Sequence, residues 1–156
     1  MPYVFKMPEL LKPAPPEGNF RARCIKFSTT NDEGMQLQSK NGDAQIRLTL
    51  ELNTAYEISA LLTLPGLDGN GEPVNKSGVA LLRILGQVLK AFGNAVEVNE
   101  QCEIGSKSFL GKECDVTVAE REYNGKTYLN VTRWAPKGSM ELETKGNGAD
   151  GDNIPF

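Results

Sequence analysis

Residues 45–52 alternate strictly: Ile46, Leu48, Leu50 and Leu52 fall on one face, and Gln45, Arg47, Thr49 and Glu51 on the other. A period of two is the mark of a strand with one face buried. Residues 56–64 repeat the pattern with Tyr56, Ile58, Ala60, Leu62 and Leu64, and only residues 53–55 separate the two runs, which predicts an antiparallel hairpin. Upstream, residues 19–28 (NFRARCIKFS) read as a strand whose alternation breaks near Ile25, as a bend or bulge would make it. Residues 29–43, with Asn31, Gly34, Asn41 and Gly42, form a polar loop in which Met35 and Leu37 could briefly continue a strand. Residues 65–75 are rich in Gly and Pro and read as a second loop. The period then changes. Leu81, Leu82, Leu85, Val88, Leu89 and Phe92 recur at three- and four-residue spacings and predict a helix from Ser77 or Gly78 to about Phe92. Asn75 or Ser77 suits its start and Gly93-Asn94 its end. Alternation returns in residues 111–119, with Cys114, Val116 and Val118 inward, and in residues 127–134, with Leu129 and Val131 inward. Asn124-Gly125 between them is a strong hairpin-turn dipeptide, and Pro136 ends the last strand.

Three strands, a helix and two strands predict an all-β domain with one helix: a five-stranded OB-fold barrel whose helix lies between strands 3 and 4. The expected domain covers residues 18–138. Before it, residues 1–17 carry Pro2, Pro8, Pro13, Pro15 and Pro16, a density that excludes regular helix and predicts an extended arm, either loosely attached or packed on the barrel or a second subunit. After it, residues 139–156 are poor in apolar side chains and predict a disordered acidic tail.

Composition narrows the chemistry. The chain has 156 residues, no histidine and three scattered cysteines, Cys24, Cys102 and Cys114, with no CxxC pair. That argues against a structural zinc site and removes the commonest general base. No apolar run approaches the roughly 20 residues of a membrane span, and residues 1–18 lack the apolar core of a signal peptide. The expectation is a cytoplasmic protein without cofactor, metal or membrane contact. The net charge of −3 is unevenly placed. Residues 1–138 hold 16 Lys/Arg against 16 Asp/Glu, whereas residues 139–156 set Glu141, Glu143, Asp150 and Asp152 against Lys145. The whole excess lies in the tail, so the body is free to bind a polyanion.

Binding to single strands without sequence preference needs cations that track phosphates and flat side chains on which bases stack. Arg21 and Arg23 share one face of the first strand, Arg47 lies outward on the second, Arg121 and Lys126 flank the last hairpin, and Lys107 and Lys112 lie in and after the segment that follows the helix. Arg133 falls on the Leu129/Val131 parity near a strand end, at the rim. The stacking candidates are Tyr123, Tyr128 and Trp134, with Phe20, Phe27, Tyr56 and Phe109 behind them; Phe20 and Tyr56 share parity with core positions. Tyr128 and Trp134 have the parity opposite to Leu129 and Val131, so both are expected to face outward, either onto bases or under a subunit or the N-terminal arm.

The chain finishes Asp150-Gly151-Asp152-Asn153-Ile154-Pro155-Phe156. An apolar tip behind acidic residues suits a docking peptide: Phe156 fills a pocket, its carboxylate meets a cation, and Asp150 and Asp152 steer. This ending resembles the C-terminal tip of bacterial and phage single-stranded DNA-binding proteins, an acidic run followed by Ile-Pro-Phe; Gly151 and Asn153 dilute the acidic run here. Residues 18–138, through Gly111-Lys112, Glu122-Tyr123-Asn124-Gly125-Lys126 and Trp134-Ala135-Pro136, are similar to small phage-encoded proteins of the same type. The resemblance implies single-stranded DNA binding in replication or recombination, with Asp150, Asp152, Ile154, Pro155 and Phe156 recruiting a partner protein. It also implies a bacteriophage or prophage origin. A homo-oligomer is compatible with a single OB domain acting on long strands. The rival is an OB module that binds RNA or protein instead. A small nuclease using Asp115, Glu120 and Glu122 is disfavoured, because Asp115 and Glu120 have opposite strand parity.

Overall fold

The computed structural model describes residues 2–7, 12–97 and 102–142. Five strands form one antiparallel sheet: β1 (Gly18–Ser28), β2 (Gln45–Leu52), β3 (Tyr56–Thr63), β4 (Glu113–Tyr123) and β5 (Lys126–Ala135). The order across the sheet is β3-β2-β1-β4-β5, so β1 is central and the ladder is not closed between β3 and β5. One α-helix, α1 (Lys76–Ala91), follows β3, and a 3-10 turn (Ser106–Ser108) precedes β4.

The alternating apolar positions make the core. Ile46, Leu48, Leu50 and Leu52 of β2 are buried with Phe20, Ala22 and Cys24 of β1 and with Cys114, Val116 and Val118 of β4. The break near Ile25 is a β-bulge: the β1–β2 register slips between Cys24 and Lys26, and Ile25 turns out to solvent. Helix α1 packs Leu85, Val88, Leu89 and Ala91 against the sheet, with Phe92 behind them. It begins at Lys76 and ends at Ala91, a little ahead of the span its apolar stripe predicts, because Asn75 takes the cap and accepts a hydrogen bond from the Gly78 amide at 3.1 Å. Gly78 is there for space: a Cβ would lie 2.8 Å from Pro73 and 3.1 Å from Pro65. Phe27, Phe109, Phe92 and Trp134 form a chain of ring contacts, with centroids 5.4 to 6.0 Å apart, that joins the helix end to the sheet.

The first described arm residues, 2–7, are exposed, whereas residues 12–17 pack on the body. Lys12 pairs with Glu51 at 2.6 Å, the Pro13 carbonyl accepts from the Glu57 amide, and Glu17 accepts from the Glu120 amide. Cys24 and Cys114 are buried and Cys102 is exposed. Burial pushes the Cys114 thiol up to about 12, helped by the neighbouring Asp115 and Cys24 and opposed by Arg21. No helix among the described residues is long and apolar enough to cross a membrane. Residues 143–156, including Asp150, Asp152, Ile154, Pro155 and Phe156, lie outside the described residues.

Asp115 is the one charged residue in the buried set, at 0 % exposure, although its parity places it on the outer face of β4. A covering segment explains this. Pro136 to Ser139 form a turn, closed by the Ser139 amide on the Pro136 carbonyl, with Gly138 at φ 90°, a conformation that favours glycine. The turn carries the chain back across β4. There the Gly138 and Met140 amides donate to Asp115 Oδ2 at 2.9 and 3.1 Å, and Arg21 Nε donates to Oδ1 at 2.6 Å. Thr117 and Asn19 hold the far end of this strap through Met140 and the Glu141 carbonyl, and Lys137 closes its edge on Glu113 at 2.6 Å. That lysine bond, ahead of the opposing effect of burial, holds the Glu113 carboxyl below its ordinary range. Removing a carboxylate from such a site strands both the guanidinium and two amides. Asp115→Ala is expected to lower stability by about 3 kcal/mol, read as a reduced urea midpoint with an unchanged slope; a loss well under 1 kcal/mol would contradict the anchoring role.

Candidate nucleic-acid interface

The candidate surface is built on the distal half of the β4–β5 hairpin. β4 continues to Tyr123, beyond the residue 119 at which the alternation of its apolar residues ends, so Arg121 and Tyr123 are strand residues rather than loop residues. Asn124 and Gly125 supply the turn, with φ 53° and 76°, the left-handed pair of a tight hairpin. Across the ladder Tyr123 faces Lys126 and Arg121 faces Tyr128. Directly opposed residues lie on one face of an antiparallel pair. Arg121, Tyr123, Lys126 and Tyr128 therefore share one face, the outer one, where Tyr123 is 53 % and Tyr128 47 % exposed. The two tyrosines are diagonal neighbours, a geometry that sets rings about 7 Å apart. A shallow depression between them is lined by Arg121, Glu122, Tyr123, Tyr128, Leu129 and Asn130. Glu120 and Glu122 have the opposite parity and pair with Leu129 and Thr127.

One residue that sequence reading does not single out joins this face. Lys40, in the loop between β1 and β2, donates a hydrogen bond to the Tyr123 hydroxyl across 83 residues of chain, and its ammonium lies 4.9 Å from the centroid of the same ring. Nothing in the polar run Gln38-Ser39-Lys40-Asn41-Gly42 marks it, because the contact is long-range.

The other candidates fall into different places. Arg21 is committed to Asp115, and Arg23 lies 3.6 Å from Glu51. With Asn53, Thr54 and Glu113 these residues line a separate, charge-balanced hollow. Arg47 stands on the outer face of β2, between Ser28 of β1 and an exposed Leu61 of β3. Lys112 donates to the Asn94 side chain at 3.2 Å and ties the helix end to β4, and Lys107 is exposed in the 3-10 turn. Among the described residues the ion pairs engage Lys12, Arg21, Arg23 and Lys137 only. Lys40, Arg47, Arg121, Lys126 and Arg133 have no carboxylate at ion-pair distance among the described residues.

Two orientations differ from the expectation. Trp134 is not outward: it is 8 % exposed and its ring lies 5.9 Å from Phe92 in the core. Arg133 is not on the inward parity: it is exposed, opposite Thr117 on the outer face. A single cause accounts for both. The β4–β5 register passes from Val118↔Val131 to Thr117↔Arg133, so Thr132 is an extra residue in β5 and the alternation inverts beyond it. Phe109, fully buried, is likewise unavailable for stacking.

No group of three metal-ligating side chains occurs among the described residues. No protein-family model and no curated relative matches this chain.

The chain has one tryptophan, so its fluorescence reports one position. Iodide is expected to quench Trp134 several-fold less in the native protein than in urea. Equal quenching in the two states would contradict the inward orientation.

Proposed function

We propose that the protein binds single-stranded DNA without sequence preference, through the outer face of the β4–β5 hairpin. The observation that carries this reading is the grouping of two half-exposed tyrosines with Arg121 and Lys126 on one face. Exposed aromatic rings flanked by cations with no carboxylate partner offer what a flexible strand presents: flat bases and a charged backbone. A duplex hides its base faces inside the stack, so rings of this kind have little to grip there.

Strand order supports an OB-type barrel as the finer description. β1 is central and shared by both halves of the sheet, β3 and β5 are the two ends, and the helix follows β3. OB-folds bind oligonucleotides with the face of strands 2 and 3 and with the loops between strands 1 and 2 and between strands 4 and 5. Here the first of those loops carries Lys40, and the second is the turn beside Tyr123 and Lys126. The acidic segment ending in Ile154-Pro155-Phe156 supports a second role, recruitment of a replication or recombination protein by a peptide whose aromatic fills a pocket.

Two measurements test these roles. Labelled oligo-dT is expected to bind tightly at low salt and much more weakly as salt rises, with weak duplex binding. Tyr128→Ala should lower dT affinity about tenfold, the scale of one lost stacking platform. Equal affinity for duplex and single strands would refute the reading, and a clear preference for poly-U would favour an RNA ligand instead. Deleting residues 154–156 should leave dT affinity unchanged or higher while abolishing capture of the partner protein; retained capture would refute the recruiting role.

A further inference from the structure

We propose that Lys40 is a phosphate contact supplied by the β1–β2 loop: parked on Tyr123 in the free protein, it transfers to the backbone of a bound single strand and tethers the loop to that strand. The proposal rests on the functional reading above and adds a residue and a motion to it. The loop is organised by its own bonds. The Asn31 side chain accepts from the Glu33 and Met35 amides, and Ser39 and Asp43 close a second turn, completed by Gly42 at φ 85°. Lys40 stands in that second turn, exposed, and donates to the Tyr123 hydroxyl.

Two features make the contact exchangeable. First, an ammonium resting on a phenol hydroxyl beside a ring is held only weakly where water reaches it. A phosphate oxygen offers a charge-assisted bond instead. Second, the parked ammonium lies at the hydroxyl edge of a ring whose face a base would use, 4.9 Å from its centroid. Lys40 is therefore already beside the stacking surface when a strand arrives, and transfer to phosphate gains it a stronger partner. Because the loop has its own internal turns, Lys40 can move with the loop as a unit rather than as a lone side chain.

The test uses the full chain and oligo-dT over a salt series. Lys40→Gln should weaken binding about three- to tenfold at low salt and reduce the slope of log affinity against log salt by about 0.7, the contribution of one phosphate contact on a single strand. Lys40→Arg should restore the slope. Hydrogen exchange at residues 39–43 should slow on adding dT to the wild-type chain, and not in Lys40→Gln. An unchanged slope in Lys40→Gln, with a reduced one in Arg121→Gln, would overturn the loop contact and leave the hairpin reading standing. Failure of the wild-type chain to bind dT would overturn both.

Discussion

A carboxylate with no access to water must be answered on every side, and Asp115 organises this domain because it is. One oxygen takes the Arg21 guanidinium and the other takes two backbone amides of residues 138 and 140. The amides fix where the chain goes after β5: back across the outer face of β1 and β4, locked by Thr117, Asn19 and Lys137. The guanidinium meets that acid through Nε, so the charge of Arg21 is balanced from within the protein. A charge laid down in the middle of a strand thus divides the outer surface into a covered half and an open half.

The open half is the distal hairpin. There β4 and β5 outrun the core, and their outer positions carry Arg121, Tyr123, Lys126 and Tyr128, which the strap of residues 136–142 does not reach. The bulge at Thr132 completes the separation. On one side of it, Tyr128 faces outward; on the other, the inverted alternation sends Trp134 into the Phe92 and Phe109 cluster. The large aromatics are thereby sorted between a structural group and an exposed group within one strand. Lys40 adds a cation from a loop far away in sequence, so the surface has a fixed floor and a second wall from another part of the chain.

Much of the fold was legible because its elements are set by local periodicity. β2 and β3 alternate without interruption, Asn124-Gly125 can scarcely do anything but turn, and the apolar stripe from Leu82 to Phe92 admits only a helix. The irregularity at Ile25 was visible as a broken alternation, since the bulge there falls inside an apolar run. The bulge at Thr132 left no such mark: Thr, Arg and Trp are all tolerated on either face, so parity ran straight through it and reversed Arg133 and Trp134. The grouping of Arg121, Tyr123, Lys126 and Tyr128 was legible because it is set by their own hairpin. Side-chain surroundings were not legible where they depend on a partner from elsewhere. Arg21 and Arg23 read as free cations until Asp115 and Glu51 are brought beside them, and Lys40 reads as loop filler until Tyr123 arrives.

As proposed, the hairpin face, and not the strapped face beside it, meets the nucleic acid. Amide chemical shifts of the full chain followed during titration with oligo-dT test this most directly. The account predicts that perturbations concentrate at residues 38–42 and 119–130, while residues 113–117 and 136–142 stay unmoved. Perturbations centred on the strap and the Arg21 hollow, with a silent hairpin, would contradict it.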